Sequence, residues 1–270
     1  MTHNALPDYE RPPVIEVAAG ITYKTIDRLL APYLGLLWER FKPDYPKCRE
    51  MPPLIPQVET FGPGAPIETS LLEVPPLPRI WFLDEKENRV IQVQRDRFLH
   101  NWKKVEAEDE YPRFPTLRQM FRERLSDFQA FLAANGLGEL RPVQYELTYV
   151  NHIPKGDGWN SLQDIGRVLP DFSWDFHRGR FLPEPEAVNW RTVFRLPEDC
   201  GRLHVSVRSV SRLSDQTPVL LLDLTARGIG QDRSLAAMWS WFDTARTWIV
   251  RTFADIADDH VQKEIWRRKQ

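Results

Sequence analysis

Ten of the chain's 23 prolines fall between positions 42 and 79: Pro43, Pro46, Pro52, Pro53, Pro56, Pro63, Pro66, Pro75, Pro76 and Pro78. Proline fixes its own φ and removes a backbone donor, so neither a helix nor a central strand can run through such a stretch. It reads as a long connector with one short strand around 55–61. The rest of the chain must fold on either side of it.

Outside the connector, alternation of apolar and polar residues marks strands. Ile15, Val17, Ala19, Ile21 and Tyr23 line one face of the first. Positions 79–84 and 89–98 read as a hairpin closed by Glu85, Lys86, Glu87 and Asn88. Val143, Tyr145, Leu147, Tyr149, Asn151 and Ile153 line another strand, and 188–196, 202–210 and 218–226 complete the set.

Spacings near 3.6 mark helices over 25–41, 116–135 and 234–256, with a short one at 162–169. In the second, Thr116 and Gln119 have the spacing of a capping box. Leu117, Met120, Phe121, Leu125, Phe128 and Leu132 share its apolar face, and Asn135-Gly136 ends it. In the last, Leu235, Met238, Trp239, Phe242, Ile249, Phe253 and Ile256 point inward.

This element order runs through nearly the same series twice. The expected fold is α+β: an antiparallel sheet with long helices packed on it, built as two tandem βαβββα units with pseudo-twofold symmetry. The first unit is 1–140, including the connector 42–79. The second is 141–270 and ends in the long helix.

The 270 residues are 42% hydrophobic and carry a net charge of -2. That is ample for a core, and it lacks the basic excess of a bulk nucleic-acid binder. The two cysteines, Cys48 and Cys200, form no CxxC pair, so neither a cysteine zinc knuckle nor a disulfide framework is expected. The N-terminus has no basic and apolar signal pattern, and no apolar run approaches the ~20 residues of a membrane helix. Cytoplasmic residence without membrane contact is the expectation, and no motif asks for a cofactor or a metal.

Two constellations carry chemistry. In D-F-S-W-D-F-H, strand alternation puts Asp171, Ser173, Asp175 and His177 on one face. Two carboxylates and an imidazole so placed suit a divalent metal or acid–base work; an edge strand with one wet face fits the same pattern. In the second, Arg191 and Arg195 share a face of one strand, and Arg202, His204, Ser206 and Arg208 share a face of the next. Paired, they make a cationic stripe that invites an anionic partner, with Glu146, Glu198 and Asp199 near enough to neutralise it. Gln92 and Gln94 extend it. Asp258, Asp259 and His260 diverge on a helix, so a helix-restart cap explains them better than a site.

PPVIEV at 12–17, IQVQRDRFLHNW at 91–102, YVNHIP at 149–154 and WIVRTFADIADDHVQKEIWRR at 248–268 stand in one order. In these segments the chain resembles a sporadically distributed family of uncharacterised bacterial proteins. The resemblance implies no established activity and suggests an accessory role in a mobile or defence-type locus. A histidine often precedes the W-I-V element in that family, where this chain has Ala245 and Arg246.

The resulting expectation is a non-catalytic binding or interaction protein, homo-oligomeric, with a protein partner or anionic ligand on Arg191, Arg195, His204 and Arg208. The alternatives are a hydrolase using Asp171, Asp175 and His177, and a nucleic-acid binder through the arginine-lined face.

Overall fold

The computed structural model describes residues 5–55, 57–59, 78–172 and 181–269. In chain order the elements are β1 (Val14–Tyr23), α1 (Ala31–Phe41), β2 (Lys47–Met51), β3 (Arg79–Leu83), β4 (Arg89–Gln94), β5 (Arg97–Lys103) and α2 (Phe114–Ala134). After them come β6 (Pro142–Pro154), β7 (Asn189–Arg195), β8 (Arg202–Ser211), β9 (Pro218–Gly228) and α3 (Met238–Ile256). The strands form one sheet in the order β2-β3-β4-β5-β1-β6-β9-β8-β7, every neighbouring pair antiparallel. An α+β architecture with helices on an antiparallel sheet is therefore present.

The core lies between one sheet face and the three helices. Val17, Ala19, Ile21 and Tyr23 of β1 and Tyr145, Leu147, Tyr149 and Ile153 of β6 are buried on that face, as the period-2 pattern requires. Each helix is docked by aromatics. Phe41 of α1 meets Phe82 at 6.1 Å, Phe128 of α2 stacks on Phe98 at 4.9 Å, and Phe242 of α3 meets Tyr145 at 6.2 Å. The termini close on each other beneath α3: Tyr9 bridges Arg268, and its hydroxyl donates to the buried Gln262 at 2.8 Å.

Several boundaries differ from expectation. A strand, β2, occupies 47–51 inside the connector, while residues 55 and 57–59 belong to no strand; 60 and 61 lie outside the described residues. What reads as one long strand over 89–98 is the hairpin β4–β5, turning at Arg95-Asp96. The first helix begins at Ala31. Helix α2 begins at Phe114, upstream of Thr116, with Pro115 in its first turn and no side-chain cap, so there is no capping box. Proline suits that first turn because its missing N–H would be unsatisfied there anyway. On α3 it is Trp241 that is buried, whereas Trp239 is half-buried against Phe121.

One contact sets the register of the second half. A Cβ on Gly228 would lie 2.1 Å from the carbonyl oxygen of Cys200, and one on Gly201 would lie 2.2 Å from that of Arg227. Only paired glycines allow this approach. It locks Arg202 opposite Arg227 and thereby fixes the polar row that follows.

Candidate functional site

Opposite the helices, the sheet's second face carries the other half of every alternation. Register places Glu146, Thr148 and Val150 of β6 beside Arg227, Thr225 and Asp223 of β9. These adjoin Arg202, His204 and Ser206 of β8, which adjoin Arg195, Val193 and Arg191 of β7. Arg208 follows on β8, opposite Asn189. Arg191, Arg195, His204 and Arg208 thus lie on one face of adjacent antiparallel strands. Arg191, His204 and Arg208 line a shallow groove of about 720 Å³, together with Arg227, Glu146 and Asp223.

The mutual repulsion that the sequence suggests is offset from within the chain. Arg208 pairs with Asp223 at 2.8 Å, Arg195 with Asp199 at 3.1 Å, and Arg227 with Glu146 at 2.5 Å. Glu59 bonds two groups at once, Arg202 and His204, each at 2.5 Å. The His204 ring is used at both nitrogens: Nε2–H donates to Glu59, so Nδ1 is the acceptor for the Arg191 guanidinium at 3.0 Å. Among the described residues Arg191 has no carboxylate partner. The stripe is therefore a charge-matched network rather than a bare cationic patch.

Glu59 arrives on a segment outside any strand that is tied to this face at Leu54, Gln57 and Glu59. Leu54 N–H donates to the Gln94 side chain, and Glu59 N–H donates to that of Gln144, each at 2.8 Å. The Gln144 amide donates in turn to the Gln57 carbonyl, and Arg227 donates to the Gln57 side chain, again at 2.8 Å. Gln94 and Gln144 are buried beneath this strap, and the strap satisfies their amides. Burial raises the pKa of Glu59, but hydrogen bonds from His204 and then Arg202 outweigh it and leave the carboxyl below its ordinary range.

On the first half of the sheet the centre of the same face is a side-chain amide network that ties in Glu16 and Arg79. Asn101 donates to Glu16 at 2.5 Å, and Gln92 donates to Asn101 at 2.9 Å. Arg79 and Trp81 both donate to Gln92. Desolvation pushes the Glu16 carboxyl above its usual range, against the hydrogen bond from Asn101. Gln92 and Gln94 lie on the stripe's face, as expected, but both are buried.

The other constellation is placed differently. Asp171 sits in a single 3-10 turn, Pro170–Phe172, whose Phe172 packs on Trp190 at 5.7 Å. It is not on a strand, because Pro170 opens a turn there. Asp175 and His177 lie outside the described residues. Among the described residues no three His, Cys, Asp or Glu side chains converge as metal ligands. The Asp258 carboxylate accepts from the N–H groups of His260 at 2.9 Å and Val261 at 3.3 Å, which is a cap.

No protein-family model, curated protein or solved structure matches this chain. What the site does must therefore be argued from its own chemistry. No helix among the described residues is long and apolar enough to cross a membrane. Sequence reasoning placed the stripe's cations and two of the neutralising acids, Glu146 and Asp199, and missed Glu59 and Asp223. Asp223 was readable from parity, since alternation along 218–226 turns it away from the core. Nothing local marks Glu59, which reaches His204 from 145 residues away.

Proposed function

We propose that the chain is a non-catalytic binding protein whose open sheet face, around Arg191, Arg195, His204 and Arg208, engages an acidic segment of a partner protein. The observation that carries this is the chain's own strap. Residues 54 and 57–59 are held by side-chain amides of the sheet, and Glu59 is seated on Arg202 and His204. A partner's acidic segment would use the neighbouring Arg191 and Arg208 in the same way. Arg191 spends its guanidinium on a ring nitrogen and Arg208 one N–H on Asp223, of five N–H donors each.

The reading includes the duplication. Superposing Glu16 on Glu146 puts β1 on β6, and the strand pairings then carry Phe98 onto Leu222. Phe114 and Met238, the first residues of α2 and α3, stand equally far beyond those two positions. Strand order supports it as well, with β1-β5-β4-β3 mirrored by β6-β9-β8-β7. The homo-oligomer belongs to the β7 edge, where Val193 and Phe194 are exposed on a strand paired on one side among the described residues. Cytoplasmic residence and the accessory role are parts of the same proposal.

Fluorescence anisotropy with a labelled glutamate-rich peptide tests the function. Binding that weakens as salt rises supports it, because exposed charges are screened within ~8–10 Å at physiological ionic strength. Preference for a single-stranded DNA oligonucleotide of equal charge would favour nucleic acid instead.

A further inference from the structure

On the helix side of the sheet, a small pocket of about 80 Å³ lies between the N-terminal segment, the start of α2 and the middle of α3. Leu224, Ile249 and Phe253 form its apolar wall. Its polar end holds the Tyr111 and Tyr149 hydroxyls, 3.0 Å apart, and Arg246, whose charge favours the ionised form of Tyr149. Burial holds both phenols above their usual range, so they remain protonated donors.

Arg246 is the unexplained group. Its guanidinium lies 5.2 Å from the Phe114 ring centroid, and its Nε is buried without a partner. Among the described residues no carboxylate pairs with it. Arg246 is half-buried, and arginine does not deprotonate in proteins, so its guanidinium stands charged at the pocket. The second cation at the pocket, Arg113, is treated differently: it bonds Asp8 at 2.7 Å and the Tyr9 carbonyl at 2.9 Å. Its backbone stands at φ 66 and ψ 152, a region that side-chain-bearing residues rarely enter. Strain of this kind gathers at ligand sites.

The pocket's dimensions narrow the ligand. A liquid water occupies about 30 Å³, and a dry cavity of about 150 Å³ admits benzene, so this pocket holds a ligand of only a few heavy atoms. The guanidinium fork matches the two oxygens of a carboxylate, and the wall behind it is apolar. We propose that the pocket binds a short-chain monocarboxylate, with its carboxylate on Arg246 and the tyrosine hydroxyls and its alkyl tail against Leu224 and Ile249.

Calorimetric titration of the full chain with propionate and butyrate, and with propionamide, sulfate and phosphate in parallel, tests this. The expected result is saturable carboxylate binding, at least tenfold tighter than that of propionamide or the inorganic anions. Arg246→Met should weaken it at least tenfold, and Arg191→Met should leave it unchanged, which separates this pocket from the open sheet face. If Arg246→Met does not fold, Tyr111→Phe serves, with a several-fold loss expected and circular dichroism unchanged. No saturable binding, equal affinity for propionamide, preference for sulfate or phosphate, or undiminished binding in the folded variant overturns the proposal.

Discussion

Glu59 Oε1 lies 2.5 Å from His204 Nε2, and this contact, with the one to Arg202, fastens the connector across the open sheet face. The Glu59 side chain is only 12% exposed. Glu59→Gln should destabilise by about 1.5–3 kcal/mol, the range for hydrogen bonds to charged groups. Its folded pKa is depressed, so the contribution is complete above the ordinary value of 4.5 and is lost as pH falls through the lower folded one. Chemical denaturation across pH should show the gap between wild type and variant shrinking in acid. A gap that widens there would be contrary to this assignment.

His100 and Tyr45 are the buried counterpart on the other face, Nε2 to hydroxyl at 3.0 Å. Burial, then the charges of Arg124 and Arg89, lowers the imidazole pKa from 6.5 to about 3. The folded chain keeps His100 neutral while the unfolded chain protonates it, so stability is full above pH 6.5 and falls as pH drops toward 3. Relative to His100→Gln, the wild type should lose up to about 1.4 kcal/mol per pH unit in that window. Parallel pH profiles for the two proteins would refute the burial argument.

The two helix cores carry the fold. Leu125 of α2 and Phe253 of α3 are both buried, and Phe253 packs on Tyr9 at 5.5 Å and on Trp266 at 5.0 Å. Leu125→Ala and Phe253→Ala should each cost roughly 2–5 kcal/mol in denaturant unfolding. Losses under ~0.5 kcal/mol would mean that these faces do not bear on the sheet.

These helix faces were legible because burial and period coincide: Leu117, Phe121, Leu125, Phe128 and Leu132 fall on one stripe and are all buried. Alternation likewise gave the faces of β1, β6, β8 and β9. β2 was not legible, because Lys-Cys-Arg-Glu-Met at a sheet edge needs no apolar face. The β4–β5 turn was missed because Arg95-Asp96 lacks the glycine or asparagine that usually marks such turns. The cations of the candidate site followed from parity within each strand. Of their acids, Glu146 and Asp199 were named from the sequence and Asp223 follows from parity along β9, but Glu59 does not, because it meets Arg202 and His204 only through tertiary contact.

The claim that the sheet face is a partner surface rests most directly on Arg191 and Arg208. Reversing both, Arg191→Glu with Arg208→Glu, replaces two cations of the groove with like charges to the partner and leaves the buried core untouched. Anisotropy titration of a labelled glutamate-rich peptide at low salt should show at least tenfold weaker binding to the double variant. Its thermal midpoint should fall only slightly, because what is lost is the exposed Arg208–Asp223 pair, of a kind worth about 0–1 kcal/mol, and the Arg191–His204 contact. Equal binding by the variant and the wild type, or no binding by the wild type, would contradict the account.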